Sequence, residues 1–362
     1  MALGTGHLTS LRFFGKVGFS EILFLLLILI LSIYHIKSLL TFSRNIESLI
    51  RIYLFTSIFF VTPIVTAAVF WLTDYNSSPV HIISFAMSIT LVFLLIEARR
   101  DGFNFKNATL WFFIIYISIH FITYFIYPIE NVRYSYVYTG GANNPNQIVF
   151  YSQSLSLMLA VFYKKYALFF LPVILLLTLE VNSDAYLLSL QLAAVFYLFL
   201  TFFYVNKFSI RKNILLYLPF ILVVSFILLF NYSDEIIGLW KMAGGQVRGT
   251  LFLNAIDVIK SSPIIGYGVG SFSGKTILFE GTEAHSNIFD LSMQFGIFFT
   301  FIIYFIMFKA IFIAVNRKEY FVASFMLAFI ITGLFHYTAR HFIFWMEFSM
   351  FYYYVFYSKN KA

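Results

Sequence analysis

The sequence predicts an all-α, polytopic integral membrane protein, and three observations carry that prediction. Of 362 residues, 61% are hydrophobic and only 11% are charged, with a mean hydropathy of +0.87; a soluble domain carries roughly 25% charged residues. The apolar residues fall in unbroken runs, each close to the ~20 residues that a helix needs to cross hydrocarbon. The runs lack the ~10-residue alternation of barrel strands, and only helices or closed barrels satisfy their backbone groups in lipid.

Taken in order, the runs predict about eleven spans (ten to twelve): 19–41, 50–72, 80–97, 108–128, 147–163, 165–180, 185–205, 213–230, 288–315, 320–338 and 342–357. The first is too long for a signal h-region and no small-residue cleavage site follows it, so no cleavable signal is expected. Pro63, Pro172 and Pro219 lie inside spans, where membrane helices tolerate them. The short connection at Lys164 and Lys165 makes spans five and six a hairpin. No internal repeat or low-complexity linker divides the chain, which reads as one integral domain, 1–362. Within or near the spans, His120 and Glu97 are worth noting. His120 is notable because such groups are expensive in lipid, and Glu97, beside Arg99 and Arg100, reads as part of a surface pair.

Orientation follows from the cations. The odd-numbered loops and the C-terminal tail hold fifteen Lys and Arg, among them Arg99, Arg100, Lys164, Lys165, Arg317 and Lys318. The even-numbered loops hold six: Arg133, Lys241, Arg248, Lys260, Lys275 and Arg340. Cytoplasmic loops collect Lys and Arg, so the odd loops and the C-terminus are expected inside and the even loops outside. Parity would put the N-terminus outside as well, whereas Arg12 and Lys16 point inward, which leaves the span count open near the start. The net charge of +8 is explained by this asymmetry, and no nucleic-acid partner is expected. With no cysteine in the chain, disulfides and thiolate metal sites are excluded.

One connection is long. Residues 231–287 form an outer, periplasmic loop, and long loops with structure of their own are usually functional. Within it Phe252, Ala255, Ile256 and Ile259 follow the i, i+3, i+4, i+7 spacing of an apolar helical face, opposite Asn254, Asp257, Lys260 and Ser261. This predicts a short amphipathic helix lying at the membrane surface, with Arg248 just ahead of it and Pro263 ending it. The glycine run Gly266-Tyr267-Gly268-Val269-Gly270 fails as a dinucleotide fingerprint, since Ser271 stands where a further glycine is needed and no strand precedes it. A flexible turn is its plain reading. Then comes Glu283-Ala284-His285-Ser286-Asn287, directly before span nine, which places His285 at the outer surface. Histidine is the side chain best suited to proton transfer near neutral pH.

The order Arg-Gly, amphipathic helix, Pro-x-x-Gly-x-Gly-x-Gly-Ser-Phe, His-x-Asn and an early span glycine (Gly296) resembles the bacterial O-antigen polymerase and O-antigen ligase family. Asn144-Pro145-Asn146, just before span five, is similar to that family's Pro-Asn element. The resemblance covers roughly 140–315 and departs at Asn182-Ser183-Asp184, where many members carry Ser-Arg-Gly. It implies glycosyl transfer at the outer face of the bacterial inner membrane, without metal or cofactor, from a glycan on undecaprenyl diphosphate. The acceptor is another lipid-linked repeat unit in a polymerase, the favoured reading, or lipid A core in a ligase. A separate chain-length regulator is an implied partner. The chemistry asks for a base at the acceptor hydroxyl and cations on the diphosphate, and arginine meets phosphate oxygens bidentately. His285 is therefore expected as base and Arg248 as the main diphosphate contact. Glu283 would orient His285. Arg340 with His341, Arg133, Asn146 and Asn287 are the expected substrate-binding residues. The bland alternatives are a solvated histidine, arginines that anchor to headgroups, and a turn at 144–146. A lipid-linked oligosaccharide flippase is the rival from another class; it would carry buried charges and repeated halves with broken helices.

Overall fold

The computed structural model describes residues 12–14, 17–18, 22, 25–33, 65, 79–100, 102–126, 130–132, 135–137, 146–164, 166–179, 181, 183–205, 246–269 and 283–356. Expected span 213–230 lies outside the described residues, as do most of 19–41 and 50–72, and so do Arg133, Asn144 and Pro145. Within the first expected span, residues 25–33 are helical.

The described chain is overwhelmingly helical. Its long helices are α1 (Pro79–Arg100), α2 (Phe105–Ile126), α3 (Asn146–Phe162), α4 (Ala167–Leu179), α5 (Asp184–Val205), α6 (Gln246–Ser261), α7 (Asn287–Asn316), α8 (Tyr320–Phe335) and α9 (Phe342–Phe356). Three are long and apolar enough to cross a membrane: the stretches Phe105–Phe125, Ala185–Phe202 and Asn287–Asn316. Their outer faces carry exposed Trp111, Phe121, Phe125, Leu198 and Phe298, the contiguous apolar surface that a lipid-facing helix presents. The expected all-α class holds. Two small antiparallel hairpins are present, β1 (Arg12–Phe14) with β2 (Val17–Gly18) and β3 (Glu130–Val132) with β4 (Ser135–Val137). In β3–β4, Glu130 pairs with Val137 and Val132 with Ser135. The hairpin falls between expected spans, and a six-residue hairpin is too short to give a periodicity signal.

Helix α3 is the hub. Fifteen of its residues, Gln147–Val161, are buried, and successive side chains serve different neighbours because helix positions are about 100° apart. Ser152 meets Tyr116 of α2 at 2.9 Å. Gln153 accepts from Thr332 of α8, which also donates to Ser189 of α5. Ser154 lies beside Glu347 of α9. Helix α8 packs on α5, α7 and α3, and α9 packs on α1 and α7.

The two ends of the bundle differ in charge. At one end Lys164 pairs with Glu319, which also accepts from the Tyr354 hydroxyl, and Arg99 stacks over Tyr353. Arg317 and Lys318 lie at this same end. Glu97, expected in a surface pair, is instead buried at 2% exposure, because the packing of α1 against α9 covers the last turn of α1. The opposite end holds the starts of α3, α7 and α9 and the 336–341 loop.

Helix α7 is broken. Gly296 has φ +81 and ψ 167, outside helical space. Residues 297–316 form about 30 Å of helix, the thickness of the hydrocarbon core. A straight α7 would run about 45 Å, yet Asn287 at its start touches Gly333 of α8. Gly333 lies only about 20 Å along the neighbouring helix. Residues 287–295 therefore turn across the end of the bundle and form a short platform there.

Candidate functional site

The platform exists because of the glycine segment before it. Breaking α7 strips carbonyls and an amide of their helical partners, and each such group must be satisfied elsewhere. Tyr267 and Gly268 donate their backbone N–H groups to Met293 and Gln294 carbonyls, both at 2.8 Å, and the Ile297 N–H donates to the Pro263 carbonyl at 2.8 Å. Only glycine permits this approach. A Cβ on Gly296 would lie 1.9 Å from the Ile264 carbonyl oxygen, and one on Gly266 would lie 2.5 Å from Gln294. The glycine run expected as a flexible turn is thus a docking strap.

Helix α6 braces the platform from the side. Its apolar face, with Ala255, Ile256 and Ile259, is buried with Ala284, Phe289 and Met293, and Phe252 stacks near Phe289 at 4.6 Å. The sequence predicted this face correctly but assigned it to lipid; protein covers it instead. Arg248 lies inside the first turn of α6 rather than ahead of it, one turn before Phe252.

His285 sits at the lip of the platform with φ +58, a left-handed conformation that costs a non-glycine residue about 1–3 kcal/mol. The residue that imposes it is Asp290, fully buried. One carboxylate oxygen accepts from the Ala284 N–H and the other from the Ser286 N–H, both at 3.0 Å. The amides on either side of His285 are thus pinned, and the imidazole is thrust outward, about half exposed. Asp290 also stands at the positive end of a helix, where an anion is favoured.

Glu283 lies behind the imidazole. Its Oε2 is 3.9 Å from His285 Nδ1, and its Oε1 accepts from Arg340 Nη1 at 2.6 Å. Its closer tie is thus to Arg340. Burial pushes the Glu283 carboxyl above its ordinary range, and the Arg340 charge and hydrogen bond pull it partly back. Arg340 also donates through Nε to His341 Nε2 at 3.1 Å. That bond requires a neutral His341, and burial followed by the Arg340 charge holds this imidazole well below its usual pKa. The Arg340 side chain remains 40% exposed.

Asn287 keeps Arg340 in place. Its Oδ1 accepts from the Thr338 and Ala339 N–H groups at 2.7 and 3.0 Å, and its Nδ2 donates to Thr338 Oγ1 at 2.7 Å. The amide is buried and committed to shaping the 336–341 loop. Gly333 makes room for it, since a Cβ there would sit 2.4 Å from Asn287 Nδ2.

The structure thus brings Glu283, His285, Asn287, Arg340 and His341 together. Asn146 opens α3 at the same end, where Phe150 one turn on packs against His336 and His341. Arg248 is placed by its backbone, and Arg133 lies outside the described residues. Among the described residues no group of three or more His, Cys, Asp or Glu could hold a metal ion.

No family model matches the chain, and neither a curated protein nor a solved structure does.

Sequence reasoning missed several residues here. A cavity of about 90 Å³ lies beside Glu283 and Arg340, lined also by Ser84, Phe85, Ser88, Gln294, Tyr337 and Trp345. Gln294 donates to the Tyr337 hydroxyl at 2.7 Å and Trp345 to the Ala339 carbonyl at 2.6 Å. Burial and the nearby charges of Asp290 and Glu283 keep the Tyr337 phenol well above its ordinary pKa, so it is a neutral hydroxyl. For Asp290 a signal was available, an acidic residue in the first turn of an otherwise apolar helix. For Ser84, Ser88 and Tyr337 there was none, because they meet the site only through tertiary packing.

Proposed function

We propose that this chain is an O-antigen polymerase of about eleven spans in the bacterial inner membrane, joining undecaprenyl-diphosphate-linked repeat units at the periplasmic face. The observation that supports it best is the convergence of His285, Glu283 and Arg340 at the bundle end opposite Lys164, Arg317 and Lys318. The excess of cations on that other end favours a cytoplasmic placement for it, which puts the His285 cluster outside, where lipid-linked glycans are extended.

The residues suit the division of labour in such a transfer. His285 Nδ1 faces Glu283, and in this reading Nε2 serves the acceptor hydroxyl. As the acceptor oxygen bonds to the anomeric carbon, its proton passes to Nε2. The bond from that carbon to the diphosphate breaks, with its electron pair going to the departing diphosphate oxygen. Arg340 meets that charge, with Arg248 at the start of α6 as a second cation. An incoming diphosphate competes with Glu283 for Arg340. Once released, Glu283 is free to close the 3.9 Å gap to His285 and steady the imidazolium.

The test compares lipopolysaccharide from a strain lacking this chain with the same strain carrying wild type or His285→Ala. Core bearing a single repeat unit in the null, a ladder with wild type and none with the variant is the expected result. Bare core, with polymer left on the lipid carrier, would make the protein a ligase. An unchanged ladder in the null would mean that neither role applies to this polysaccharide.

A further inference from the structure

Away from the site at the platform, Glu347 is buried with no group among the described residues to answer its charge. Glu347, the sixth residue of α9, has no exposure, and neither of its carboxyl oxygens makes a hydrogen bond among the described residues. The Ser154 hydroxyl of α3 lies beside it and is likewise buried without a bond of good geometry. The Gln153 Nε2, one position earlier on the same hub helix, is a third such atom.

The charged and titratable residues on the elements packed around α9 have partners of their own or sit in end turns. Asp290 of α7 accepts the Ala284 and Ser286 amides, and Lys309 of α7 lies over Phe305 and Phe356 at the far end. On α1, His81 is in the first turn, and Glu97 and Arg99 are in the last, where Arg99 stacks over Tyr353. Helices α3 and α8 carry no charged side chain. A bare carboxylate with no exposure to solvent is untenable in a medium this apolar. The group must therefore carry a cation of its own, and intramembrane carboxylates of this kind mark ion or proton sites.

We propose that Glu347, with the Ser154 hydroxyl as its oxygen partner, is an intramembrane site for a monovalent cation, a proton or a sodium ion. The proposal is independent of the glycan reading, because it concerns occupancy of the carboxyl and not catalysis.

The test is the melting temperature of the purified full-length protein in detergent, wild type against the isosteric Glu347→Gln. It is read from pH 5 to 9, in sodium-free choline chloride and in 200 mM sodium chloride. In the unfolded chain the carboxyl ionises freely as pH rises, whereas the folded site keeps its cation. Without sodium, wild type should therefore lose several degrees relative to Glu347→Gln as pH rises. If added sodium restores the loss, the site takes sodium; if sodium changes nothing, it takes only a proton. A gap between the two proteins that stays constant across pH and salt overturns the proposal. Should Glu347→Gln fail to fold, labelling of wild type with dicyclohexylcarbodiimide decides instead. Adduct on Glu347 that declines with rising pH or with sodium supports the site, and no adduct on Glu347 overturns it.

Discussion

At the scale of single residues, His285 is presented by Asp290 rather than by its own preferences. Two amide bonds to one buried carboxylate hold a histidine in left-handed space, so the strain belongs to the arrangement. Truncating His285 to Ala should reduce chain extension by about 10²- to 10⁴-fold, the range for loss of a general base, with membrane insertion intact; a ladder assay with a Western blot checks both. Asp290→Asn should lower extension while His285 is still present, because one of the two amides loses its acceptor. Glu283 separates stability from function. Its carboxyl is held above the ordinary range by burial, so its contribution to stability is present in acid and declines as pH rises through the folded-state pKa. Glu283→Gln should consequently melt within a few degrees of wild type, with a relative advantage that grows as pH rises through the folded-state pKa, although its activity falls. Arg340→Gln removes the cation that lowers that pKa, so the acid limb of its residual activity should move to higher pH. The sequence made His285, Glu283 and Arg340 legible through residue type and position beside an expected span. Asp290 and Tyr337 were less legible because their roles depend on what folds back against them.

At the scale of elements, the glycine segment and the break in α7 are one device. The strap replaces the hydrogen bonds that the break removes, and its glycines allow the two backbones to meet. Gly296→Ala must push the strap from the helix or close the break. Either should cost about 1–3 kcal/mol, seen as a lower melting temperature, with loss of activity because residues 287–295 shift. Gly102 offers the matched control: it too has positive φ, but a Cβ there meets nothing within 4 Å, so Gly102→Ala should be the milder change in stability and leave activity intact. Element boundaries were highly legible. Expected boundaries 147–163, 185–205, 288–315 and 342–357 fall within one or two residues of α3, α5, α7 and α9, because long apolar runs leave little freedom in where a helix begins. The break itself was not legible, since one glycine in a span is ordinary and only the partner backbone makes it a bend. Nor was the burial of the α6 face, whose periodicity suits protein and lipid equally.

At the scale of the whole molecule, the two bundle ends differ in charge. The end with Lys164, Arg317 and Glu319 is charged, and the end with the platform holds the proposed site. Because the chain contains no cysteine, single cysteines can be placed without background. Cysteine at Lys318 should react with a membrane-impermeant maleimide only after the inner membrane is opened, and cysteine at Ile264 should react in intact spheroplasts; the reverse pattern would overturn the proposed orientation. The composition and the run lengths made the membrane class legible, whereas the order of packing around α3 was not, because serine and glutamine in a helix do not reveal which neighbour they will meet. The strap also constrains how such a molecule can be made. Its residues 263–269 leave the ribosome before the platform that receives them, so they must wait outside the membrane while the long apolar stretch of α7 is threaded. Until they close over Met293 and Gln294, the outer turns of that helix carry bare carbonyls at the lipid boundary. Docking of the strap therefore waits on α7, and a chain stalled before residue 297 lacks the amide that ties the strap's start to that helix.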